Sequence, residues 1–161
     1  MFSNEYEKVF ARVESYKHEQ SDEKELLLSR SNFWSESFGA LKRLRENGIS
    51  DEYLCLIAAL KQISDGEYSI ILNGKLASLV FDNTKFFIRY FSEIAPNELN
   101  DRNVGTIIFT PTMEGDIDGC KYISSVKGNL INERAVNKIT VDKIISVVNK
   151  EQRKYYKECS E

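Results

Sequence analysis

Between Tyr68 and Phe81 the chain places two apolar-rich runs, Tyr68–Leu72 and Lys75–Phe81, on either side of Asn73-Gly74. A two-residue hairpin turn of the primed type needs positive φ at both central residues, which Asn tolerates and Gly adopts freely. No other dipeptide constrains the chain as strongly, and it predicts an antiparallel β-hairpin centred on Gly74. A second strand pair is predicted at Val104–Thr110 and Cys120–Val126. The acidic stretch carrying Glu114, Gly115, Asp116, Asp118 and Gly119 would join them.

The segments around these pairs read as helices. Asn4 and Glu7 form a capping pair, after which Tyr6, Val9, Phe10, Val13 and Tyr16 recur at helical spacing. The polar stretch 18–22 interrupts this helix, and a short restart carries Leu26, Leu27 and Leu28. Trp34, Phe38, Leu41 and Leu44 mark a further helix closed by Asn47-Gly48. Ser50 caps the next, with Asp51 and Glu52 at the positive end of its dipole, and Ser64-Asp65-Gly66 stops it. Phe86, Phe87, Tyr90, Phe91 and Ile94 predict another helix ended by Pro96, and Thr140 is expected to cap a C-terminal one.

The expected fold is therefore α+β: an antiparallel sheet of about four strands, made of two hairpins, packed against helices. One domain is expected over residues 1–161, mainly helical over 1–66 and hairpin-helix-hairpin-helix over 67–161. With 42% hydrophobic residues the chain is too apolar for disorder and can build a core without staples. Three scattered cysteines, Cys55, Cys120 and Cys159, predict free thiols and a cytoplasmic, reducing setting. The longest apolar runs fall far below the ~20 residues of a membrane span, and the first ten residues lack the apolar core of a signal peptide.

Catalytic motifs are mostly absent. The single histidine, His18, lies in a polar stretch, and any serine or cysteine mechanism that needs histidine would have to use it. No phosphate-binding loop, dinucleotide fingerprint or paired-cysteine zinc motif occurs, so no cofactor and no metal are assigned. Glu114, Asp116 and Asp118 before Gly119 echo half of a calcium loop. Set in that register, however, the closing position falls on Ser125, where a bidentate Glu is required.

Charge is more informative. The net charge of −3 argues against a whole-protein nucleic-acid binder. Acids gather over 5–25 and 98–118, bases over 121–157. The expected function is a non-enzymatic protein-binding module with a basic partner, such as a bacterial toxin-neutralising immunity protein, another inhibitor or a small chaperone-like adaptor. Glu114, Asp116 and Asp118 would steer that partner, and Tyr90 and Phe91 would anchor it. Two alternatives stand beside it. One is an enzyme whose carboxylates and hydroxyls converge only in the fold. The other is a nucleic-acid-binding accessory protein using Lys150, Arg153, Lys154 and Lys157 on the C-terminal helix.

Overall fold

The computed structural model describes residues 2–30, 32–115 and 117–159, and every regular element among them is helical. The chain groups into two compact units, Met1–Tyr68 and Ser69–Glu161.

The first unit follows the periodicities of its sequence but not all its expected caps: Ser3 rather than Asn4 caps the first helix, and Ser50 precedes the fourth without a side-chain cap bond. Helix α1 (Asn4–Lys17) opens at Ser3, whose hydroxyl accepts from the Tyr6 N–H at 3.3 Å, and it buries Tyr6, Val9, Val13 and Tyr16. A short helix α2 (Ser21–Arg30) leaves Leu26 and Leu27 exposed. Helix α3 (Phe33–Glu46) stops at Asn47, and Gly48 follows at φ 99°, a left-handed turn that glycine adopts without steric cost. Helix α4 (Asp51–Lys61) carries Asp51 and Glu52 in its first turn. Helices α1, α3 and α4 pack against one another around Val13, Phe33, Leu41, Leu54 and Ile57, all fully buried. The Phe33 ring receives the edge of Tyr16 at 5.0 Å and the Arg12 guanidinium at 5.0 Å. Trp34 stacks on Tyr68 at 4.5 Å.

The second unit overturns the α+β expectation. Residues 66–82 form one continuous helix, α5 (Gly66–Asp82), through the expected hairpin turn. Gly74 sits inside it and is not among the positive-φ glycines. The reason lies in magnitudes. A mid-helix Gly costs about 1 kcal/mol relative to Ala, whereas burying one Leu side chain contributes about 1.5–3 kcal/mol. The helical path buries Leu72, Leu76 and Leu79 completely, at spacings of four and three.

Both strands of the other expected pair are helices as well. Helix α7 (Asp101–Phe109) buries Val104, Ile107 and Ile108, and its cap Asn100 accepts from the Asn103 N–H at 2.9 Å. Helix α8 (Gly119–Asn132) buries Tyr122, Ile123, Val126 and Leu130 and is capped by Asp118. Between α5 and α7, helix α6 (Thr84–Arg89) widens into a π-turn over Tyr90–Ile94, and Pro96 ends the run as its sequence predicts. The C-terminal helix, α9 (Lys138–Tyr155), begins two residues ahead of the expected Thr140 cap. Asn137 caps it, accepting from the Thr140 N–H at 3.0 Å. Helix α9 packs on α7 and α8, and α6 packs on α8.

Two of the three cysteines also depart from expectation, because Cys120 and Cys159 form a disulfide across 39 residues of sequence. Packing of α8 on α9 brings the start of the first to the end of the second, a proximity that spacing alone does not reveal. Cys55 takes no part in the disulfide. No helix among the described residues is long and apolar enough to cross a membrane.

Candidate functional site

Helix α5 is apolar on two sides. One side, around Leu72, Leu76 and Leu79, is buried; the other exposes Ile70 at 52%, Ile71 at 42% and Phe81 at 45%. Helices with a single core face alternate apolar and polar stripes, and a helix apolar all round must cover its second face by other means. Here that second face forms one wall of a groove of about 480 Å³, with Gly74 opening it between Ile71 and Phe81. The opposite wall comes from Thr110 and Pro111 at the end of α7, from Ile117, and from Tyr122 of α8. Nothing lies within 4 Å of where a Gly74 side chain would begin, so the groove is open at that point.

Hydrogen bonding inside the groove limits its chemistry. The Ser78 hydroxyl donates to the Lys75 carbonyl at 2.8 Å and the Thr110 hydroxyl to the Thr106 carbonyl at 2.6 Å. The Tyr122 hydroxyl donates to the Ile108 carbonyl at 2.6 Å, and burial pushes its pKa up, so it stays neutral. Each lining hydroxyl is thus engaged with backbone. Apolar contact is what remains for a visitor, and that suits binding better than proton transfer.

The residues singled out from sequence are distributed differently. Tyr90 and Phe91 are fully buried, their rings 5.2 Å apart and perpendicular, with Phe87 5.3 Å from Phe91. Burial, followed by the charge and hydrogen bond of Glu98, raises the Tyr90 pKa. These two aromatics hold the core of the second unit and offer no surface to a partner. Asp118 is exposed, but its carboxylate caps α8, accepting from the N–H groups of Cys120 at 3.1 Å and Lys121 at 3.2 Å. Asp116 and the Glu114 side chain lie outside the described residues. Asp118 nevertheless follows Ile117 directly, and the exposed Asp82 follows Phe81, so an acid adjoins an apolar residue on each wall.

Lys150, Arg153 and Lys154 share one face of α9 with Asp142, Ile145 and Asn149, along a shallow depression. Lys150 is tied to Asp101 at 2.7 Å, which lowers the Asp101 pKa and raises its own. The Lys154 ammonium sits 4.7 Å from the Tyr155 ring centre. Lys157 lies past the helix end, in the turn Lys157–Cys159. Near the start of α9, Asp142 accepts from Arg134 at 2.6 Å and from Lys138 at 3.0 Å, and both bonds hold its carboxyl well below the usual range.

One group of metal-ligating types gathers among the described residues: Cys120, Glu158 and Cys159. Both sulfurs are consumed by the disulfide, and a metal would need them as thiolates. Sequence reasoning missed the groove because it split α5 into strands. Ile70, Ile71, Gly74 and Phe81 at helical spacing were the available signal. Comparison with protein-family models, with curated proteins and with solved structures returned no match to this chain.

Proposed function

We propose that this chain is a non-catalytic protein-binding module whose recognition surface is the groove between α5 and the Pro111–Tyr122 side. The carrying observation is an apolar groove whose own hydroxyls are all engaged. The occupant that fits is an amphipathic helix of a basic protein. Its apolar residues, at i, i+3 or i+4 and i+7, would lie on Ile70, Ile71 and Phe81, while flanking Lys or Arg side chains face Asp82 and Asp118. Inhibition of a basic partner, as by an immunity protein, and escort by a small adaptor both fall within this reading. The nucleic-acid alternative is less well supported, because Lys150 is already neutralised by Asp101.

The test combines a photo-crosslinking residue with a defined peptide. A crosslinker at Ile71 or Phe81 should trap one stoichiometric protein in the native host. The same crosslinker at Ile139, which is 81% exposed but does not line the groove, should not. A basic amphipathic model helix should bind the purified chain, lose at least about tenfold in affinity with Phe81→Asp, and weaken with salt. Equal crosslinking from all three positions, or peptide binding unchanged by Phe81→Asp, would sink the reading.

A further inference from the structure

The turn after α9 is fastened to the second unit by contacts of different chemistry. Cys159 is bonded to Cys120. The Gln152 side chain reaches both ways: its amide donates to the Cys159 carbonyl at 2.8 Å, and its oxygen accepts from Lys127 at 2.6 Å. The Tyr156 ring stacks on Phe109 with centroids 6.0 Å apart. The same ring lies so close over Gly119 that a Cβ there would come within 2.5 Å of it. Gly119 is the first residue of α8 and is not at positive φ, so what glycine supplies is room for Tyr156 rather than conformational freedom.

This anchorage adjoins the groove along the chain. Cys120 lies between Ile117 and Tyr122, both of which line it. Cys120 and Cys159 are each partly exposed. We propose that Cys120–Cys159 is a reversible redox latch: closed, it clamps the C-terminal turn onto the start of α8 and steadies the Ile117 wall of the groove; open, it frees both. The reductant is a dithiol. One of its thiolates attacks a latch sulfur, forming a mixed disulfide and releasing the other cysteine as a thiolate, which takes a proton. The second thiol of the reductant then displaces the remaining cysteine, and the reductant leaves as a disulfide. Two electrons and two protons have passed to the protein.

The latch stands on the tail contacts alone, while its consequence for ligands rests on the groove being a binding surface. The experiment separates the two. Full-length protein is compared oxidised and in dithiothreitol, alongside Cys159→Ser and Gly119→Ala. Oxidised protein should show one titratable thiol, Cys55, and reduced protein three. Hydrogen exchange over residues 117–122 and 152–159 should quicken at least tenfold on reduction, with α1, α3 and α4 unchanged. Cys159→Ser should exchange fast with or without dithiothreitol. Gly119→Ala, which displaces Tyr156 but leaves the sulfurs, should speed 152–159 even when oxidised. Three titratable thiols after oxidation, or equal exchange in both redox states, would overturn the latch. A hydrophobic fluorescent dye then reports on the groove, and its affinity should fall on reduction. A dye that binds the oxidised protein and its Phe81→Asp variant equally counts against the groove reading, while the exchange data still decide the latch.

Discussion

The two units of this chain were written in the same helical alphabet, yet only the first could be read directly. In α1, α3 and α4 the helices fall where the apolar periods of the sequence place them. The cap of α1 is Ser3, one residue ahead of the expected Asn4, and Asn47-Gly48 ends α3 where its apolar period stops. In the second unit the local and long-range signals conflict. Asn73-Gly74 argues for a turn, while Leu72, Leu76 and Leu79 argue for a helix passing through it. A turn preference acts once, at the scale of about 1 kcal/mol. Burial along a helix face accumulates with every turn, so a period sustained over 17 residues outweighs a strong dipeptide.

The largest test of that contrast is in the core of the second unit. Phe91→Ala should cost about 3–5 kcal/mol by urea denaturation, comparable to the loss of a buried aromatic anywhere. An exposed anchor would lose less than about 0.5 kcal/mol, and such a result would return Phe91 to the surface. Next come the caps that the second unit uses without advertising them. Asn137→Ala and Asn100→Ala should each lose about 1 kcal/mol, because each side chain satisfies a helix N–H. Ser50→Ala in the first unit should lose less, since Ser50 makes no side-chain cap bond. Equal losses at all three positions would mean that the cap geometry carries no weight.

A smaller effect with the opposite sign gives the sharpest distinction. Gly74→Ala should raise stability by about 0.5–1 kcal/mol, as expected of a glycine with helical φ inside a helix. A hairpin glycine at positive φ would instead be destabilised by the same change, so a lowered denaturation midpoint would break the helical account of α5. The smallest effect concerns acid. The Asp142 carboxyl is held below its ordinary value of 3.8, chiefly by the Arg134 hydrogen bond. A depressed folded-state pKa contributes stability above the unfolded value and loses it as pH falls through the folded one. Wild type should therefore be slightly more stable than Asp142→Asn at neutral pH, and the difference should shrink below about pH 4. A constant difference down to pH 2 would assign the effect to packing.

The site was legible only in fragments. Asp118 follows the groove residue Ile117 in the chain, yet it serves as a helix cap, and Asp116 and the Glu114 side chain lie outside the described residues. Tyr90 and Phe91 were noticed for their aromatic crowding, but nothing in residue type tells a core ring from an anchoring one. Ile70 and Ile71 were assigned to a strand, which hid the second apolar face of α5.

Sequence by itself determined where helices can start and stop, as at Gly48, Pro96 and Ser50, and which positions of α1, α3, α4 and α9 are apolar. These outcomes depend on φ preferences, on orphan N–H groups and on periodicity, which act over a few neighbouring residues. Only the tertiary structure decided that residues 66–82 form a helix, that Tyr90 is buried, that α5 keeps one apolar face open, and that Cys120 meets Cys159. Those outcomes depend on surfaces brought together across tens of residues, where the area removed from water is set by the packing partner and not by the segment's own residues.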